Sequence, residues 1–478
     1  MKHLTLLLLC LLFWAPLRAQ GFAEFLTDLL GRPVGERQAV VDSLFAHLPG
    51  GETPIREADG AWFIWRGTAS SLAVAGDMTG WSPNLSLTLI AGTNLWERHF
   101  LCEADARLDY KLVRNGSEWI LDPLNPHTCS GGFGPNSELA MPEYVQPQEI
   151  QNLGLPNGTL VSWPAFYSPQ LNNTRTIQIL LPPGYQEGQA RPVCVVHDGS
   201  EYLTLGSLRN VVAWLADQHP NLELPIFVCV PPVNRTAEYH TTQQDLFAHF
   251  IVDTVLPAVR AQWATYDDPA RWISLGASDG GNISTYLLGH FPAAFGRGVL
   301  MSPYIPAANR QALAQLSPDS LRVYLNWGSY DIEDIIQTSE PCVALLEERG
   351  VPHLARLYHE GHSWGLWRAT LDEGLLYILE ADTAVPPALP PAERGAGPER
   401  LELRAWPNPF NSQVQLELPP GPGRTRLRIF DSAGRLCEEH DAGGGRFIWE
   451  ADALPSGRYW VEGVRAGRRA LTSVTLLR

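Results

Sequence analysis

The chain has 478 residues, 45% of them hydrophobic, 16 tryptophans and a formal net charge of −16. That apolar content supports packed cores and excludes a disordered chain, and the length suggests about three domains at ~150 residues each. The acidic balance argues against nucleic acid and anionic membrane surfaces as partners.

Residues 1–19 read as an export signal. Lys2 and His3 open it, Leu4 to Trp14 is an apolar run, and Leu17-Arg18-Ala19 ends on a small residue. The run is too short to span a bilayer, and no other stretch is long and apolar enough. Cys10 lacks the small residue in front that a lipoprotein cleavage site needs. Cleavage after Ala19 leaves Gln20 first, in an exported, soluble or surface-held protein. Cys102, Cys129, Cys194, Cys229, Cys342 and Cys437 then remain. Export permits disulfides, and Cys102 and Cys129 share one expected domain and could pair. Cys194 and Cys229 fall within apolar strands, where a buried thiol is the natural role. No C-x-x-C or His-x-His spacing marks a metal site.

Residues 20–150 split into a helical lead-in and an all-β module. Phe25, Leu29, Leu30, Val40, Val41, Leu44 and Phe45 recur at helical intervals, interrupted around Gly31-Arg32-Pro33. Short strands follow at Trp62–Trp65, Leu72–Val74, Leu85–Ile90, Trp96–Leu101 and Leu108–Val113, with a hairpin signal at Asn115-Gly116. A linker rich in Pro, Gly, Gln and Asn covers 146–158.

From 158 to 382 apolar strands alternate with helices. The strands are Thr176–Leu181, Pro192–His197, Pro225–Val230, Arg271–Leu275, Gly298–Met301, Leu321–Trp327 and Ala355–Tyr358; the helices include Asp245–Gln262 and Glu340–Arg349. That alternation predicts an α/β class, with a mainly parallel sheet covered on both faces and its ligand beyond the carboxyl ends of the strands. Residues 383–400, rich in Pro, Ala and Gly, read as a second linker, and 401–478 return to β patterning.

The chemistry centres on Gly276-Ala277-Ser278-Asp279-Gly280, a G-x-S-x-G elbow between an apolar strand and a helix. A serine hydroxyl needs a base to take its proton. His362 lies on a loop just past the last strand, with His353 and His359 as competitors. Asp331 follows the Val323–Trp327 strand and fits the carboxylate that orients the imidazole; Glu333 and Asp334 are close rivals. The oxyanion donors expected are the N–H groups of Asp279 and Ser200.

Two stretches carry family likenesses in the hydrolytic region and before it. Leu181-Pro182-Pro183-Gly184-Tyr185, Val196-His197-Asp198-Gly199, Pro231 to Tyr239, the elbow and Gly361-His362-Ser363-Trp364-Gly365 together resemble the esterase D / enterochelin esterase group of α/β-hydrolases. The resemblance implies a serine esterase without metal or cofactor. It makes Asp198, Arg235, Glu238 and Trp364 candidates for substrate contact. Asp279 departs from the family in being acidic, which disfavours acidic substrates. Ala75 to Trp81, Gly92 to Trp96, Asp109 to Val113, Asn115 to Trp119 and Asp122 to Pro126 are similar to the immunoglobulin-like early-set module of glycogen-binding and isoamylase domains. In sugar-binding members Trp81 and Trp119 would stack on sugar rings, helped by Lys111; the alternative places both tryptophans in packing.

The last segment, with Trp406-Pro407-Asn408-Pro409-Phe410-Asn411 and Leu454-Pro455-Ser456-Gly457-Arg458-Tyr459, resembles the sorting domain of type IX secretion substrates. It implies passage across a bacterial outer membrane by the type IX secretion machinery. The expected architecture is an α/β-hydrolase flanked by two immunoglobulin-like β domains. The expected function is an exported serine esterase acting on acyl or feruloyl groups of polysaccharide. A siderophore esterase is the first alternative, and a carbohydrate-binding protein with an inactive hydrolase domain the second.

Overall fold

Strand runs such as Val193-Cys194-Val195-Val196 have no polar alternation, so neither face of such a strand suits water. A computed structural model shows where both faces go. It describes residues 21–48, 53–380, 403–406, 413–417, 425–430, 435–442, 446–451, 454–465 and 468–476. The export signal and the 383–400 linker lie outside the described residues. The chain forms two compact units, one up to residue 384 and one beyond it.

In the first unit eight strands form the central sheet, in the order Thr159–Ser168, Asn173–Leu181, Ile226–Val230, Val193–His197, Trp272–Ala277, Arg297–Met301, Arg322–Tyr330 and His353–Gly361. The first two strands join antiparallel, and Asn173–Leu181 is antiparallel to Ile226–Val230; all later neighbours run parallel. Successive side chains point to opposite faces. Val193 and Val195 accordingly pack with Phe247, Phe250 and Leu287. Cys194 and Val196 pack with Leu208, Val211 and Leu375 on the other side.

Two helices depart from the sequence expectation. The 245–262 helix is interrupted: α-turns at Gln244–Phe250 and Leu256–Gln262 flank a π-helical stretch, Ile251–Val255. Pro257 has no N–H to give to the ladder, and the wider turn falls just before it. The helix expected from Glu340 starts at Glu333 and carries Pro341 inside. Ile335, Ser339, Cys342 and Leu346 form a buried stripe through the proline, so side-chain burial outweighs a proline cost of about 3 kcal/mol.

The module before the central sheet packs a four-stranded sheet of its own against strands that join the central sheet, around Phe63, Trp65, Val74, Leu108, Tyr110 and Leu112. Helices 21–31 and Val34–His47 bury Phe22, Leu29, Val41 and Leu44 against the outer side of that four-stranded sheet. The hairpin signal lies where expected, with Asn115 at φ 54° and Gly116 at φ 78° between paired strands. One connection decides how this module meets the rest. Its strand Arg107–Arg114 pairs parallel with His353–Gly361 at Arg107 and Glu360, so the central sheet runs on into the module.

Among the described residues Cys102 and Cys129 are not joined. Burial pushes their thiols up to about 12 and about 11. The second unit is all-β in its described residues. A three-stranded and a four-stranded antiparallel sheet share a core of Leu416, Leu427, Trp449, Val461 and Val474.

Candidate active site

The chain leaves the Trp272–Ala277 strand, turns at Ser278 and enters the helix Asp279–His290. Ser278 sits at φ 57°, ψ −121°, a backbone conformation costly for any residue with a Cβ. Its surroundings hold it there. The Ser278 N–H donates to Met301 O at 2.9 Å, and its carbonyl accepts from Asn282 N at 3.0 Å and Tyr304 N at 3.3 Å. Glycine is required at 276, because a Cβ there would lie 2.2 Å from the Gly280 carbonyl oxygen.

Three side chains from different parts of the sheet converge at this corner. His362 Nε2 lies 2.9 Å from Ser278 Oγ, and His362 Nδ1 lies 2.6 Å from Asp331 Oδ1. Asp331 is buried and also accepts the N–H of Ile332 at 2.8 Å and of Gly328 at 3.3 Å. A carboxylate on Nδ1 favours the tautomer with its proton there, which leaves Nε2 free to accept from the serine hydroxyl. Trp367 stands edge-on to the imidazole at 5.0 Å, with its indole N–H on Ser302 Oγ at 3.0 Å. The competing groups lie elsewhere. Glu333 and Asp334 are exposed in the first turn of their helix. His353 bonds the Val351 carbonyl, and His359 bonds Asp105 of the module at 2.6 Å.

Asp279 and Ser200 stand in the first turns of the helices Asp279–His290 and Gly199–Thr204. Backbone N–H groups in a first turn have no acceptor within the helix.

Three candidate substrate contacts are structural instead. Both Asp198 oxygens are taken by Arg235, through Nε at 2.9 Å and Nη2 at 2.9 Å, and the carboxylate is buried. Glu238 is 0% exposed and paired with Arg175 at 2.7 Å; Val233 N and Asn234 N also donate to it. No substrate can reach a group so enclosed. Trp364 is buried edge-on against Tyr202 and Trp367, as part of the packing under the His362 loop. Arg235 remains at the rim, partly exposed, with Nη1 on Asp279 Oδ2 at 3.1 Å. His240, which no motif marks, bonds the other Asp279 oxygen at 3.1 Å. It joins the site only because the fold brings residues 240 and 279 together.

Of the expected sugar contacts, Trp119 is exposed on its strand and Lys111 is half-buried on the neighbouring strand, which pairs with it. Trp81 is half-buried and donates its indole N–H to Asp77 Oδ1 at 3.1 Å, a packing role at the module's inner edge.

Comparison with known proteins points to the same chemistry. Residues 168–378 match the Esterase family. The chain is 24% identical over 351 residues to the iron(III) enterobactin esterase of Dickeya dadantii, covering 62% of this chain and 80% of that one. The central domain is a carboxylic ester hydrolase. This esterase domain is also similar to the uncharacterised protein YjcH of Bacillus subtilis, at 25% identity over 239 residues, 47% of this chain and 98% of YjcH. The crystal structure of ferric enterobactin esterase from Salmonella typhimurium superposes with a TM-score of 0.57 at 20% identity, covering 69% of this chain and 96% of that one. At that identity the likeness speaks for the fold alone.

Two carboxyl groups of the esterase domain, Glu360 buried and Asp372 half-buried, make its stability depend on pH. Burial pushes Glu360 up to about 7, opposed by Arg107. Burial, with Glu149 nearby, pushes Asp372 up to about 7. A carboxyl raised in the folded state binds its proton more tightly there than in the unfolded chain. The stability this gives is complete at acid pH, below the ordinary carboxyl range, and is lost as pH rises through 7. The melting temperature is therefore expected to be lower at pH 8 than at pH 6, with a shallower slope in Glu360→Gln. Thermal melts across that interval check this, and a rise in melting temperature contradicts it.

Proposed function

We propose that Ser278, His362 and Asp331 form the catalytic triad of an exported serine esterase working through an acyl-enzyme. The observation that carries this is the unbroken pair of hydrogen bonds from Ser278 through His362 to Asp331. His362 Nε2 takes the serine proton as Oγ attacks the ester carbonyl carbon. The carbonyl oxygen becomes an anion, which the N–H groups of Asp279 and Ser200 stabilise. As the intermediate collapses, the imidazolium protonates the departing alcohol oxygen and the acyl group stays on Ser278. Water, deprotonated by His362, then attacks the acyl-enzyme; the acid leaves and the proton returns to Ser278. Asp331 holds the ring in register and balances its transient charge.

For the substrate, we favour acyl or feruloyl esters on polysaccharide. Asp198 and Asp279 outnumber Arg235 beside the elbow, which disfavours a polyanionic ligand. Trp119 offers an exposed aromatic face suited to a sugar ring. A siderophore ester is the second reading, supported by the likeness to enterobactin esterases over more of the chain than residues 168–378. A panel of feruloylated, acetylated and siderophore esters separates them. The first reading expects the highest kcat/KM on the sugar esters, and fastest cleavage of the siderophore ester reverses it.

The export signal and the type IX sorting resemblance support delivery to the cell surface or medium. Fractionation of the producing bacterium tests this, and retention inside the cell counts against it.

A further inference from the structure

We infer that the N-terminal module positions the catalytic histidine, with Arg107 as the residue that holds the His362 loop. This deepens the triad reading above and rests on it. His362 lies in a short connection between the strand His353–Gly361 and the helix Trp364–Ala369. Nothing in the esterase domain continues the sheet beyond that strand; the module strand Arg107–Arg114 does, at the Glu360–Arg107 pair.

Module side chains meet the histidine loop on both sides of His362. Arg107 Nη1 donates to Ser363 Oγ at 3.1 Å, one residue after the histidine. Gly361, one residue before it, has no room for a side chain, because a Cβ there would lie 2.0 Å from Asp77 Cγ. At Gly365 a Cβ would lie 2.0 Å from Arg107 Nη1. The two glycines thus let module groups approach the loop backbone at van der Waals distance.

Arg107 is itself immobilised. It is 1% exposed, with Nη2 donating to Asp109 Oδ1 at 2.6 Å and to Glu138 Oε2 at 2.7 Å, and Nε donating to Glu138 Oε2 at 3.0 Å. Glu360 Oε2 lies 3.7 Å from Nη1. Asp77 accepts the Asp109 N–H at 2.7 Å, which ties the group beside Gly361 to the strand that carries Arg107. A guanidinium bonded through all three of its nitrogens is a rigid support, since moving it would break several charge-assisted bonds in a dry site. The bond to Ser363 transmits that rigidity to the residue next to His362. Displacing a catalytic group by about 1 Å costs turnover on the order of 10²-fold.

Ser363→Ala removes only the contact with the loop and leaves the buried charges paired. Its kcat on a p-nitrophenyl ester is expected to fall about 10- to 100-fold with KM nearly unchanged. Arg107→Gln should fall at least as far, and Arg107→Lys should recover only part of the loss, because an ammonium keeps the charge without the fork. Far-UV circular dichroism and thermal melts establish that each variant is folded. Ser278→Ala in the same series tests the triad separately. If it turns over like wild type, the site reading fails. If it is inert while folded Ser363→Ala and Arg107→Gln keep the wild-type kcat, the positioning role is overturned and the triad stands. A rise in KM with unchanged kcat also overturns it, since that places the module in substrate binding instead.

Discussion

Ser278→Ala is expected to lower ester turnover on the order of 10³–10⁶-fold while leaving the fold intact. In the proposed mechanism the Ser278 hydroxyl takes the acyl chain, with His362 Nε2 at 2.9 Å to take its proton. Alanine keeps a Cβ, and hence keeps the cost of φ 57°, so the change removes chemistry without altering backbone strain. Ser278→Gly removes both. Glycine tolerates this conformation, so that variant should be inactive and more stable by about 1 kcal/mol. Hydrolysis of a p-nitrophenyl ester and thermal melts of the three proteins give both readings. Alanine-variant turnover at the wild-type rate would remove Ser278 from the mechanism.

Asp331→Asn carries the second large effect, a loss of turnover on the order of 10⁴-fold. The carboxylate is buried, and besides the imidazole it accepts two backbone N–H groups. An asparagine there can offer its amide N–H to His362 Nδ1. The ring would then hold its proton on Nε2, facing the serine, and could not act as a base. Glu333→Gln and Asp334→Asn remove charges that lie exposed in a helix first turn, and turnover should be close to wild type in both. Single-turnover kinetics of the three variants decide among the carboxylates. A loss confined to the Glu333 or Asp334 variant would move the acid to that residue.

The neighbourhood of those three carboxylates shows what could be read from the chain and what could not. The strand before them was legible from its apolar run, and so was the presence of an acid soon after it. Which acid turns inward depends on where the next helix starts. Pro341 obscures that start, because it suggests a break that the buried stripe of Ile335, Cys342 and Leu346 overrides. Once the helix begins at Glu333, the two rivals fall on its exposed first turn, and Asp331 is left on the strand end beside the histidine.

The same division separates Glu238 from Ser278. An elbow is a local object: its glycines, its strand and its helix lie within a few residues, so steric rules act on the sequence directly. A motif match could place Glu238 near the site, but only its buried pairing with Arg175, 63 residues away, shows that it serves the scaffold.

By itself, then, the sequence determined the alternation of strands and helices, the elbow and its serine, and the β character of the flanking segments. Burial and backbone sterics act over a few residues and leave a period that can be read. Tertiary structure alone decided the partners of the buried charges and the seat of the histidine loop against the module. Arg107 and Ser363 stand 256 residues apart, and no local pattern records a contact that exists only after two sheets have joined. Charges buried in a dry junction must find counterparts wherever the fold supplies them.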